Sequence, residues 1–251
     1  MRASQGKPDS TGPRHGLARM LSKLGVCSRT EATGWIAAGR VQVDGRVIRN
    51  VEFPVIRGLH RIKVDGIAVG ESVARYLMLN KPKGLVTTAR DEQGRDTVYR
   101  CFDAAGLGWI APVGRLDKAS EGLLLFSSDP EWAARITDPR TGPRKTYHVQ
   151  VDRLVDQALL HALQTGVVIE GERLSAASAA LLRHGEKNAW LEIVLDEGRN
   201  RQIRRLLAEF DISVLRLIRT AIGNLELGDL AKGQWRELSK VEVATLTPAT
   251  P

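Results

Sequence analysis

Twice this chain writes a short apolar run, an Asp-Gly pair and a second apolar run: VQVDGRVI at 41–48 and IKVDGIAV at 62–69. Asp-Gly between alternating apolar residues is a strong local signal for strand, tight turn and strand, because both residues accept the backbone such a turn demands. Two such hairpins commit this part of the chain to a small sheet. Helices are expected ahead of it. LARMLSKLG sets Leu17, Met20, Leu21 and Leu24 at i, i+3, i+4 and i+7, one helical face, with Gly25 as the stop. SRTE follows, and Ser28 and Glu31 have the spacing of a capping box. The helix it opens turns Ala32, Trp35 and Ile36 inward and ends at Gly39.

This front module is also where the charge lies. Residues 17–63 hold nine Lys or Arg against three Asp or Glu, a surplus of +6 within a chain whose net charge is +8. A basic surface of this density points to a polyanion. Lys23, Arg29, Arg40 and Arg46 are the candidate phosphate-binding cations, giving salt-dependent affinity without reading base sequence. Other partners find little support. No apolar run reaches the roughly 18 residues of a membrane span. The first residues, MRASQGKPDSTGPRHG, contain no apolar segment, so a secretory signal is not expected, and residues 1–14 read as a disordered tail. Cys27 and Cys101 stand far apart, and the five histidines show no ligand spacing. That argues against a disulfide framework or a metal site and fits a reducing cytoplasm.

The module is expected over 15–70, and after a linker at 70–75 a larger domain over 75–247. YLMLNKPKGLVTT reads as an edge strand running into a turn, since Pro does not serve a central strand. DPEWAARI starts a helix with Asp129 as cap and Pro130 at the first position. KTYHVQV, AWLEIVL and VLRLIRTAIG read as strands. DQALLHALQTG and RNRQIRRLLAEF are helical, the latter with Ile203, Leu206, Leu207 and Phe210 on one face and Arg201, Arg204 and Arg205 off it. Strands and helices without regular βαβ alternation predict an α+β domain with a mixed, largely antiparallel sheet. No nucleotide-cofactor, serine-hydrolase or zinc-protease motif occurs.

Three polar segments remain: GRLD at 114–117, KTY at 145–147 and GRNRQIRR at 198–205. An Asp beside Arg stays ionised and can act as nucleophile, base or ion-pair partner. A Tyr can stack on an unstacked base. Spacing alone leaves Asp117 open between these roles and a structural one.

The residues carry a further signal. SKLGVCSRTEATGWIAAGRVQVDGRVI resembles an S4 RNA-binding domain. GRLDKASEGLLLF, KPKG, KTYHVQV, EGRNRQIRRLLA and LRLIRTAIGNLELGDLAKGQWREL are together similar to the pseudouridine synthases of the RsuA type, which pair an S4 domain with a catalytic domain. The resemblance implies isomerisation of a uridine in ribosomal RNA, with no cofactor and with Asp117 as nucleophile. It implies that Arg115 holds the flipped nucleotide, that Tyr147 stacks on the uracil and handles protons, that Arg204 pairs with Asp117, and that Ile203 packs beneath the base. Lys81 and Arg201 join Arg115 and Ile203 as expected substrate contacts. The expected partner is ribosomal RNA, free or in a subunit assembly intermediate, with no membrane contact, and the chain is expected to be a monomer. Two other functions compete: an inactive RNA-binding assembly factor, and a carboxylate hydrolase. The latter wants two carboxylates flanking a bond, and the stretch around Asp117 offers only Glu121.

Overall fold

The computed structural model describes residues 12–70, 73–89, 91–103 and 105–247. They divide into two compact units. One holds the described residues of Met1–Arg75 with Leu107–Ala111 and Ser128–Glu131; the other holds those of Tyr76–Gly106, Pro112–Ser127 and Trp132–Pro251.

In the first unit, β1 (Arg14–Gly16) leads into α1 (Leu17–Lys23) and α2 (Arg29–Ala37). Then come β2 (Val41–Val43), β3 (Arg46–Val47), β4 (Pro54–Ile56), β5 (Ile62–Val64) and β6 (Ile67–Ala68). The two Asp-Gly hairpins form as expected and join in one four-stranded sheet of order β3-β2-β5-β6. Asp44 and Asp65 both sit at φ 49°, followed by Gly45 at 81° and Gly66 at 80°, the left-handed pairs the turns require. The capping box is present: the Ser28 hydroxyl accepts from the Glu31 N–H, and the Glu31 carboxylate accepts from the Ser28 N–H. Leu17, Met20, Leu21, Ala32, Ile36, Val41, Val43 and Val55 make a closed core. Arg14, placed in the expected tail, instead opens β1 and pairs with β4. Residues 1–11 of that tail lie outside the described residues.

The second unit runs β7 (Tyr76–Lys81), a short 3-10 turn (Val98–Phe102), β8 (Ala111–Val113), β9 (Glu121–Ser127), α3 (Pro130–Thr137) and β10 (Lys145–Val151). It continues with α4 (Gln157–Thr165), β11 (Val167–Ile169), β12 (Glu172–Leu174), β13 (Ser178–His184), β14 (Ala189–Leu195) and α5 (Gln202–Ala208). It ends with β15 (Val214–Ile222), β16 (Leu225–Glu226), β17 (Trp235–Glu237) and α6 (Lys240–Leu246). Its main sheet has the order β13-β14-β10-β15-β9-β7-β17, with β8 on β9 and β16 on β15. Along this order every pair is antiparallel except β9 with β15, and β16 is antiparallel to β15. The result is the α+β class with a mixed, largely antiparallel sheet.

One expectation is corrected. β7 is not an edge strand, because β9 flanks it on one side and β17 on the other. Pro82 falls one residue past the strand end, where its missing N–H costs no ladder bond. The apolar run GLLLF becomes β9, buried along all seven residues at the middle of the sheet. On one face β9 packs with Trp132, Ile136 and Leu246. Phe126 packs edge-on with Tyr99 and Phe102, at 5.9 and 4.8 Å between ring centres.

Candidate active site

Asp117 stands in the loop that joins β8 to β9, and four polar contacts hold this loop. The Thr87 hydroxyl donates to the Leu116 carbonyl at 2.7 Å. The Gly84 N–H donates to the Lys118 carbonyl at 2.7 Å, and the Ser120 N–H to that of Asp117 at 2.9 Å. Lys81, fully buried, donates to the Ser120 carbonyl at 2.9 Å and the Pro82 carbonyl at 3.0 Å. Burial pulls the Lys81 ammonium down to about 8, against the opposing pull of Cys101, Glu121 and Asp117. Thus KPKG, read in the sequence as a turn, is a clamp on the Asp117 loop.

The loop forms one wall of a cavity of about 490 Å³. Asp117, Arg115, Tyr147, Ile203, Arg204 and Arg201 all line it, so one concave site gathers the three polar segments of the sequence. Lys81 does not line it; its ammonium is turned into the loop's own backbone. Tyr147 lies on β10, 8% exposed, directly opposite Arg219 on β15. α5 brings Ile203 and Arg204 across from the sheet, and its start is sewn down by the buried Gln202. That side chain accepts from the Arg199 N–H at 3.2 Å and donates to the Ser175 carbonyl at 3.0 Å and to Glu197 at 3.1 Å. Arg201, at φ 48°, makes the left-handed entry into the helix.

The expected ion pair between Arg204 and Asp117 does not form in this structure. The Arg204 guanidinium donates to the Val214 carbonyl at 3.1 Å instead, and its Nε is buried without an acceptor. Burial and then the Arg201 charge push the Arg204 pKa down, while Asp117 pulls it up. Six cations line the cavity: Arg115, Lys145, Arg199, Arg201, Arg204 and Arg219. Two carboxylates, Asp117 and Glu197, also line it, and Glu197 is ion-paired with Arg199 at 2.7 Å. Glu121, the second acid considered for a hydrolase, is held elsewhere. Arg216 meets it through two nitrogens at 2.7 and 3.1 Å, and Lys232 at 2.6 Å. The Arg216 hydrogen bonds, with Lys232, draw its carboxyl down to about 2. No group of three His, Cys, Asp or Glu with the geometry of a metal site occurs among the described residues.

The other predicted cations belong to the first unit. Arg29 and Arg46 are exposed. Arg40 is paired with Asp65 and lies over the Trp35 ring at 5.2 Å. Lys23 is paired with Glu131 at 2.7 Å. Sequence reasoning passed over Lys145 and Arg219 in the cavity. The available signal was alternation: Lys145 and Tyr147 are two apart on one strand, as are Leu217 and Arg219 on another, so each pair shares a sheet face.

Comparison with known proteins bears on this arrangement. Residues 75–209 match the family model for RNA pseudouridylate synthase, and 16–58 match that for the S4 domain. The chain is 38% identical over 234 residues to an RNA pseudouridine synthase of Aquifex aeolicus, covering 93% of this chain and 94% of that one. It is 34% identical over 232 residues to the ribosomal large subunit pseudouridine synthase B of Bacillus subtilis, covering 92% and 94%. A crystal structure of a pseudouridylate synthase superposes with a TM-score of 0.64 at 29% identity, over 92% of this chain and 99% of that one. With its cavity framed by the GRLD, KTY and RQIR segments and its matches spanning most of the sequence, the chain belongs to the RNA pseudouridylate synthase family and carries an S4 domain.

Proposed function

We propose that this protein isomerises a uridine of ribosomal RNA to pseudouridine, with Asp117 as the nucleophile and without a cofactor. The observation that carries the reading is the state of Asp117: among the described residues it is the one carboxylate lining the cavity that has no ion pair, and its loop is held at four points. A nucleophile must be free to react and yet fixed in place.

The chemistry needs nothing the chain lacks. The N1–C1′ bond of the uridine breaks, the base turns, and a C5–C1′ bond forms; C5 loses a proton and N1 gains one. Atoms and electrons balance within the substrate. A base buried in folded RNA must first be extruded, at a cost of a few kcal/mol. Arg115, exposed at the cavity wall, is placed to fill the gap left behind, and Tyr147 offers a flat surface to the extruded base. Ile203, almost fully buried, supplies an apolar contact against the ring. Arg204 supports the Asp117 carboxylate once substrate excludes water from the cavity, since the attraction between opposite charges strengthens there. The first unit docks RNA through Arg29, Arg46 and their neighbours.

Incubation with ribosomal RNA transcripts is expected to produce carbodiimide-dependent reverse-transcription stops at a uridine, and Asp117→Asn to abolish them. Binding without stops, on transcripts and on subunit assembly intermediates alike, would favour a binding-only protein.

A further inference from the structure

Arg219 lies on the floor of the Asp117 cavity and has no task in the scheme above. It is 5% exposed. Its Nε donates to the Leu123 carbonyl at 2.7 Å, and its Nη2 is buried with no acceptor. Among the described residues it forms no ion pair. Lys145, half-buried, lines the same cavity; burial first and then the Arg219 charge push its ammonium pKa down. Two cations thus line one cavity whose carboxylates, Asp117 and Glu197, are ion-paired with neither of them. A buried guanidinium without a counter-charge lowers stability, so the arrangement suits a partner that arrives with the substrate.

Position decides which part of the substrate that is. Arg219 and Tyr147 are direct cross-strand partners on β15 and β10, so their side chains leave the sheet side by side, about 5 Å apart at Cβ. A base resting on Tyr147 therefore turns an edge toward Arg219. A phosphate is the poorer fit. It would have to shed its water to reach a residue this buried, while exposed Arg115 and Arg201 stand at the cavity wall to receive it.

We propose that Arg219 is a further catalytic residue: its guanidinium donates to a uracil carbonyl, O2 or O4, and stabilises the charge the base gains as N1–C1′ breaks. The bonding pair leaves with the base, and the negative charge spreads onto O2 and O4. A donor fixed beside one of them holds the departing base more tightly than the uridine it came from, which is the condition for acceleration. The inference rests on the reading of Asp117 as the nucleophile.

The test uses the full chain and the transcript in which stops are found. Arg219→Met is expected to lower the single-turnover rate about 100-fold, the scale of losing one donor to a developing anion, with RNA affinity changed by less than about 3-fold, as an effect confined to the transition state requires. The variant also takes the donor from the Leu123 carbonyl, so its rate is read per folded protein. Arg219→Lys should recover part of the rate. Transcripts with 2-thiouridine or 4-thiouridine at the site identify the oxygen: one of them should slow the wild type and add nothing further in Arg219→Met. A wild-type rate in Arg219→Met, a rate loss that only tracks loss of folded protein, or thio effects equal in both proteins would overturn the proposal. If the wild type forms no pseudouridine, the Asp117 reading falls first and takes this one with it.

Discussion

At the scale of single residues, Gly122 does as much to shape the site as the side chains that line it. It is the second residue of β9, opposite Arg219 in the parallel pairing with β15, at φ +100°. A Cβ there would stand 2.3 Å from the Arg219 carbonyl oxygen and 2.8 Å from its nitrogen, both backbone atoms that cannot yield. Gly122→Ala is therefore expected to destabilise by about 3 kcal/mol through backbone strain and forced strand separation. Urea unfolding measures this, and a loss below about 1 kcal/mol, near the ordinary cost of a surface change, would show that the strands can part. Lys81 shows the same economy. Its ammonium donates to the backbone carbonyls of Pro82 and Ser120, so a lysine that looks from its motif like a substrate contact is held within the turn and the Asp117 loop.

At the scale of elements, the junction of β9 and β15 is tied by Glu121, which Arg216 grips through two nitrogens. The tie has a definite pH dependence. The carboxyl is lowered from 4.5 to about 2 in the fold. A depressed acid contributes its stability fully above the unfolded value and loses it as pH falls through the folded one. The stability gap between wild type and Glu121→Gln, about 1 to 3 kcal/mol at neutral pH because Arg216 and Lys232 stay partly exposed, should thus shrink between about pH 4.5 and pH 2. Paired urea titrations check it, and a gap constant across that window would deny the ion pair its role. Elements with local signals were legible in the sequence: the Ser28–Glu31 cap, the Asp-Gly turns, and the alternation of KTYHVQV. SKVE at 239–242 carries the same capping box and opens α6, so that helix was legible too but unread. β17, three residues long, has too little alternation to be seen, and without it β7 looks like an edge. Arg219 was hidden for a different reason: its burial depends on strands 70 to 100 residues away, which no local window contains.

At the scale of the molecule, the proposed function gives docking to the first unit and chemistry to the second. All the residues that line the cavity belong to the second unit, so the proposed phosphate contacts of the first are separable from the site. Replacing both Arg29 and Arg46 by Gln is expected to weaken RNA binding and reduce the slope of log affinity against log salt by about 1 to 2, the counterions that two phosphate contacts release. The single-turnover rate at saturating RNA should not change. Filter binding across a salt series reads the slope, and an unaltered slope would remove these arginines from the RNA contact.

The parallel pairing of β9 with β15 also sets an order of events during synthesis. Glu121 and Arg216 are 95 residues apart, and Arg219 closes on Leu123 from 96 residues away. The Asp117 loop is made well before α5 and β15, the helix and the strand that complete its cavity. Contacts this distant in sequence also form slowly. A nascent chain that has displayed its basic first unit is expected to meet RNA well before its cavity is complete. On the proposed function, binding becomes available from the first third of the chain and catalysis only from the last.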